Sequence, residues 1–180
     1  MGGPALLAGL ATAFLSVSPT THLSAQTMQT LTSSRLLRGE DTLAVRVEFG
    51  GGRFTLTPAT GNVLYRARLE YLEDRVRPRF EYDREIRFLL VGIGGIRGRN
   101  RGGGGSRVNF NFDGPPQRLD LQLSPRVITD LSLTLGAVQS DVDLGGLALS
   151  RVELKGGASE TTVGFSRANR AACESLKVMV

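Results

Sequence analysis

The sequence has no tryptophan, one cysteine, one histidine and only 6% aromatic residues, and each shortage excludes something. A core with so few rings has to be built from closely packed aliphatic side chains. The lone thiol, Cys173, rules out an intrachain disulfide and leaves a structural zinc or iron–sulfur site without a ligand set. Cys173 itself, in Ala171-Ala172-Cys173-Glu174, is expected to be a small buried or partly buried residue and not a nucleophile. The single histidine, His22, lies within residues 1–25, a segment that contains no Lys, Arg, Asp or Glu. Its apolar run from Ala5 to Val17, followed by Ser, Pro and Thr and then Leu23-Ser24-Ala25, has the pattern of a signal peptide's hydrophobic region and cleavage site. The run is shorter than the about 20 residues a membrane-spanning helix needs, so residues 1–25 are expected to direct export and then be removed. The mature chain would then hold no histidine, which excludes a Ser-His-Asp triad, a Cys-His pair and histidine metal sites together.

What remains is long enough for one domain and short for two. Across 180 residues the composition is 41% hydrophobic and 22% charged, with 23 glycines, which fits a folded chain rich in turns. Because residues 1–25 carry no charged side chains, the formal net charge of +5 belongs wholly to the mature part. A sequence pI near 10.1 suits anionic partners without identifying one.

Beyond a polar stretch over residues 26–41, read as a linker, apolar and polar residues alternate with the period of two that marks half-buried strands. Leu43, Val45, Val47 and Phe49 alternate with Thr42, Ala44, Arg46 and Glu48, and Phe54 and Leu56 follow Gly50-Gly51-Gly52, which reads as a turn. Val63, Tyr65, Ala67, Leu69 and Tyr71 come next, then a charged link from Glu73 to Arg79 that contains Pro78. Further strands are read at Phe80/Tyr82, Ile86/Phe88/Leu90, Val108/Phe110/Phe112, Leu119/Leu121/Leu123, Leu131/Leu133/Leu135, Val142/Leu144, Leu147/Leu149, Val152/Leu154 and Val163/Phe165. Helical spacing is nowhere sustained for three turns between Leu43 and Phe165, and the mature chain reads as all-β.

The second half echoes itself. Leu131-Ser-Leu-Thr-Leu-Gly136-Ala137, running on to Val142-Asp-Leu144, matches Val152-Glu-Leu-Lys-Gly-Gly157-Ala158, running on to Val163-Gly-Phe165, at a constant offset (152 − 131 = 157 − 136 = 163 − 142 = 21). A fixed period of about 20 residues is the signature of stacked β-solenoids, whose units bury their apolar faces only against neighbours. A β-sandwich of similar strands is the alternative.

The segments Val47-Glu-Phe-Gly-Gly-Gly-Arg-Phe-Thr-Leu56, Leu64-Tyr-Arg-Ala-Arg-Leu-Glu-Tyr71, Asp74-Arg-Val-Arg-Pro78, Leu133-Thr-Leu-Gly-Ala137, Asp141-Val-Asp-Leu-Gly-Gly-Leu-Ala-Leu149 and Gly156-Gly-Ala-Ser-Glu-Thr-Thr-Val163 together resemble the toast-rack family. That family is related to the LiaF-like domains of cell-envelope stress response and to proposed adhesins built from the same repeats. The resemblance covers roughly residues 43–165 and rests on structural glycine and leucine patterns. It implies a stacked, right-handed β-helix-like solenoid outside the cytoplasm, and it brings no active site with it. Two features depart from it: a longer Gly/Arg insertion after Val91, and an alternation of Leu176, Val178 and Val180 that begins another strand where the sequence stops. The solenoid domain, residues 42–180, is therefore expected to be incomplete at its C-terminal end.

Candidate chemistry is sparse. Asp141 and Asp143 lie two apart, so on a strand they share a face, and a solvated strand face accounts for them. Glu70, Glu73 and Asp74 lie beside Arg66, Arg68, Arg75 and Arg77, a pattern of surface ion pairs. The segment over residues 92–107 is the most unusual. At the third glycine position of a dinucleotide fingerprint stands Arg97, and there is no Gly-Lys-Ser/Thr for a phosphate loop. An RGG-like nucleic-acid segment would need interleaved aromatics, which are missing. A flexible loop between strands is the expectation, and its Arg97, Arg99, Arg101 and Arg107 are the candidate contacts to an anionic surface.

The expectation is a non-enzymatic, exported structural or interaction domain of the bacterial cell envelope, adhesin-like, in the periplasm, on the outer surface or secreted. It needs no cofactor or metal. Its partner would be an envelope protein or an anionic envelope polymer or lipid, not nucleic acid, and strand-edge pairing would make it a homo-oligomer. The alternative is an extracytoplasmic sensor or regulatory domain of an envelope-stress response.

Overall fold

The computed structural model describes residues 27–73, 76–95, 116–157 and 160–179. These form ten strands and no helix: β1 (Met28–Leu36), β2 (Thr42–Pro58), β3 (Val63–Leu72), β4 (Val76–Asp83), β5 (Phe88–Gly95), β6 (Arg118–Leu123), β7 (Ile128–Asp143), β8 (Ala148–Gly156), β9 (Glu160–Gly164) and β10 (Ser175–Met179). All ten belong to one open sheet, so the all-β expectation holds.

Two long strands organise it. Strand β2 runs parallel to β7 over nearly its whole length, from Thr42 opposite Ile128 to Leu56 opposite Val142. On the free side of β7 follow β8, opposite residues 128–135, and β9, opposite residues 139–143, both parallel, and β10 then pairs parallel with β8. On the other side of β2 lie β5, parallel to Ala44–Glu48, and β6, parallel to Arg53–Pro58. Antiparallel strands extend both of these branches: β4 pairs with β5, and β3 followed by β1 extends from β6.

Gly50, Gly51 and Gly52 do not form a turn between two strands; they are a corner inside the single strand β2. The buried set changes parity there, from Leu43, Val45, Val47 and Phe49 to Phe54 and Leu56. In an uninterrupted strand that change would move the second set to the opposite face. Here both sets join the same hydrophobic cluster, and the Phe49 and Phe54 rings lie 6.4 Å apart across the corner. The sheet therefore bends, and its two halves line one core. Strand β7 repeats the device: Leu131, Leu133 and Leu135 are buried before Gly136-Ala137, and Val138 and Val142 after it. The corners stack, since a Cβ on Gly136 would overlap the backbone carbonyl of Gly50.

The 21-residue echo is a true register. Leu131 pairs with Val152, Leu133 with Leu154, and Val142 with Val163. Side chains follow it: Ser140 Oγ donates to Thr161 Oγ1 at 2.8 Å, Ser150 Oγ to the Thr129 carbonyl at 3.3 Å, and Arg151 pairs with Asp130 at 3.3 Å.

Several boundaries differ from the sequence reading. The expected linker over residues 26–41 contains β1, whose inward positions, in register with buried β3, include Gln29, Ser33 and Arg35. Polar inward residues hide a strand from a search for apolar alternation. Pro78, expected in a charged link, lies within β4, an edge strand where its missing N–H is tolerated. Ile86 sits in the turn before β5 and is exposed. Val142/Leu144 is not a separate strand: Val142 lies in β7, which ends at Asp143, and Leu144 follows it. Leu149, Val152 and Leu154 share β8. Cys173, expected buried or partly buried, is exposed.

Candidate functional site

The residues singled out as anionic-surface contacts, Arg97, Arg99, Arg101 and Arg107, lie outside the described residues, as do His22 and the expected signal segment. Among the described residues no group of three or more His, Cys, Asp or Glu is placed to hold a metal ion. Three surfaces remain as candidates: the outer face, the loop side and the two ends of the sheet.

The outer face of the second half-sheet is set by register. Arg66, Arg68 and Glu70 of β3 lie beside Gln122, Asp120 and Arg118 of β6, which lie beside Thr57, Thr55 and Arg53 of β2. Gln139 and Asp141 of β7 and Glu160 and Thr162 of β9 continue the rows. Neighbours pair with one another: Arg68 forms an ion pair with Glu70 at 2.8 Å and Arg118 with Asp120 at 2.9 Å, and Arg53 donates to the Gln139 amide oxygen at 2.9 Å. The Arg118 guanidinium is held more basic than usual by its hydrogen bond to Asp120. The result is a broad face of alternating charge with little net sign. Of the acidic cluster expected beside the arginines, Glu70 pairs with Arg68, whereas Glu73 accepts from Gln29 at 3.2 Å.

Asp143 does more than sit on a solvated strand face. Its carboxylate accepts from the Ser166 hydroxyl at 2.7 Å, the Ser166 amide at 3.0 Å and the Gly145 amide at 2.8 Å. It thereby ties the segment after β9 to the turn before β8. Those bonds, the Ser166 hydroxyl first, hold the Asp143 carboxyl below the usual aspartate range. A carboxyl depressed in the folded state contributes stability that is present above its unfolded value and lost as pH falls through the folded one. Asp143→Ala is accordingly expected to cost about 1 kcal/mol near neutral pH, allowing for solvent screening. Denaturant unfolding of both proteins over an acidic pH series should show that gap closing as the wild-type carboxylate protonates.

Close by, Pro58, Ala59, Thr60, Pro125, Gly146 and Arg167 help to line an open depression of about 260 Å³, into which Arg170 also contributes. It gathers turns between strands on one side of the sheet and carries two guanidinium groups. Composition alone gave no signal for it, because its residues come from four separate turns.

The ends differ. At the first, Arg35 of β1 lies 4.4 Å over the Tyr82 ring of β4 and 3.7 Å from the Glu40 carboxylate, while Tyr82 meets Tyr65 at 5.8 Å between ring centroids. Ser33 and Tyr65 share a hydrogen bond of 3.2 Å. Burial pushes the Glu40 carboxyl up, but the amides of Arg38 and Glu40 and the Arg35 guanidinium outweigh it and leave it below its usual range. Burial, then the Glu40 carboxylate, raises the Tyr82 phenol. This polar and aromatic cluster bridges the two half-sheets and closes the core. At the second end, Val163, Phe165, Leu176, Val178 and Met179 are all exposed.

Residues 21–175 match the family model described as the N-terminal domain of toast_rack, DUF2154. Among solved structures the chain is similar to a proposed cell adhesion protein from Clostridium sporogenes, with a TM-score of 0.62 and 15% identity, over 84% of this chain and 68% of that one. At that identity the likeness is one of fold. A comparison with curated proteins finds no match.

Proposed function

The chain belongs to the toast-rack family, and we propose that it is a non-enzymatic interaction domain of the bacterial cell envelope, exported from the cytoplasm and adhesin-like. The observation that carries this reading is the outer face: in-register strands display a wide, charge-balanced polar surface on a rigid aliphatic core. Such a face suits broad, shallow contact better than capture of a small molecule, which calls for a concave and mostly apolar pocket. The similar fold of a proposed cell adhesion protein supports the same direction. In this reading the parallel strands are turns of a stacked β-solenoid, each burying its apolar row against the next. The Arg167 and Arg170 depression adds a basic element that suits anionic envelope polymers or lipid headgroups.

The test is compartment and mass. The full-length gene product, expressed in a diderm bacterium and fractionated, is expected outside the cytoplasm with an intact mass lacking residues 1–25. An uncleaved product in the cytoplasm would overturn the exported reading.

A further inference from the structure

We propose that the depression carrying Arg167 and Arg170 is a binding subsite for one phosphorylated sugar unit of a glycan. It rests on the interaction-domain reading above only for the source of the ligand; the chemistry comes from the depression itself.

Four segments far apart in the chain build the site. Pro58 ends β2 and Thr60 follows it, Pro125 follows β6, Gly146 lies between β7 and β8, and Arg167 and Arg170 follow β9. The segment that holds the arginines is pinned along its length. Asp143 accepts from the Ser166 amide and hydroxyl, the Gly146 amide donates to the Arg167 carbonyl at 3.3 Å, and the Arg170 amide donates to the Leu147 carbonyl at 2.8 Å. Between the arginines, the Asn169 side chain accepts from the Leu149 amide at 2.8 Å and donates to the Leu149 carbonyl at 3.0 Å. A backbone fixed in this way needs little further ordering when a ligand arrives.

The two guanidinium groups are left available. The Arg167 stem runs over Gly146, where the Cβ that glycine lacks would meet its Nε at 3.7 Å. Among the described residues the Arg167 guanidinium makes no hydrogen bond. It lies in the field of Asp143, but the oxygens of that carboxylate are already engaged by Ser166 and Gly145. Arg170 reaches the Pro125 carbonyl at 3.5 Å, a long and weak hydrogen bond. None of the described lining residues is acidic, so two positive charges share the depression with no carboxylate in its walls.

Composition and size select the ligand. A phosphate monoester carries a charge of about −1.5 to −2 and three acceptor oxygens, which matches two guanidinium forks better than one carboxylate does. No aromatic side chain lines the depression, so a nucleobase finds no stacking platform. Nor does a large apolar side chain stand there to insert beside a lipid headgroup, which favours a glycan over a membrane surface. At about 260 Å³ the space is smaller than the about 300–1,000 Å³ of pockets for drug-sized ligands, and it suits one unit of a chain that continues outside. Thr60 adds a hydroxyl to the rim.

Titration of the isotope-labelled full chain with glucose-6-phosphate, followed by amide NMR shifts, tests the proposal. Saturable shifts are expected at Gly146, Ala168 and Arg170, with a dissociation constant on the order of 1 mM. Glucose should leave these amides in place, and inorganic phosphate and glucuronate should each bind at least about threefold more weakly. Arg167→Gln/Arg170→Gln should weaken binding at least about tenfold, whereas Arg53→Gln on the outer face should leave it unchanged. Raising the ionic strength from about 0.05 to about 0.5 M should weaken wild-type binding severalfold, a readout that stands even if the double variant unfolds. No saturation by about 10 mM, equal affinity for inorganic phosphate or glucuronate, full binding by the folded double variant, or binding to phosphatidylglycerol vesicles that glucose-6-phosphate does not displace would each overturn the subsite. A product retained in the cytoplasm would overturn the exported reading and leave the outcome of this titration untouched, so the two failures are told apart.

Discussion

Gly52→Ala is expected to destabilise the fold by about 3 kcal/mol, a fall in Tm of roughly 10 °C for a domain of this size. Two independent costs meet at this position. Its φ of +113° lies in the region that L side chains avoid. A Cβ there would also overlap the Gln117 carbonyl oxygen, which accepts from the Arg53 amide at 2.8 Å. That bond starts the parallel ladder between β2 and β6, so the overlap cannot be relieved by rotating a side chain. Relief requires moving the backbone of one strand away from the other, and with it the corner at which β2 changes its inward parity. Thermal unfolding followed by circular dichroism measures the effect. Gly61→Ala provides the contrast: its φ of +78° is also positive, but a Cβ there meets nothing within 4 Å, so only the conformational cost remains.

Leu133→Ala is expected to cost about 2–5 kcal/mol, the range for emptying a fully buried aliphatic site. Leu133 sits in β7, the strand that pairs with β2, β8 and β9, and it lies in one apolar row between Val47 and Leu154. Both neighbours are held by their own ladders, so neither can collapse into the cavity. Val178→Ala, in the same row but in β10, should cost less than about 1 kcal/mol, because about half of the side chain is already in water. Guanidinium or urea titrations of the two variants would show whether cost falls from the middle of the sheet toward β10, as the proposed solenoid requires.

Much of this was legible in the sequence for a physical reason: a side chain facing a common core on every second residue leaves a period of two. Most inward residues of β2, β3, β6, β7 and β8 were read that way, though not Val138 just past the corner in β7 or Leu72 at the end of β3, and the 21-residue echo appeared directly as strand pairing. The pairing of β2 with β7 was not legible. Partners such as Arg53 and Gln139 lie 86 residues apart, with β3 to β6 inserted between them, so no short repeat marks them. Strand β1 was missed because it faces the core with Ser33 and Arg35, whose partners are Tyr65, Tyr82 and Glu40. The corner in β2 passed for a turn because three glycines signal a change of direction and do not say whether the strand continues beyond it.

The candidate surfaces were less visible still. The anchoring role of Asp143 depends on Ser166, 23 positions away, and the arginine depression depends on turns that only folding gathers. Strand β10 was half legible: the alternation of Leu176 and Val178 predicted a strand, and their register with β8 places them on the core rows.

The direct test of an interaction domain is whether it binds what it is proposed to bind. Purified protein should be mixed with envelopes isolated from its native host and sedimented over a concentration series. Saturable cosedimentation that unlabelled protein competes away is the expected result. Protein that stays in the supernatant at every concentration, while unfolding cooperatively in a parallel melt, would contradict the envelope-binding reading.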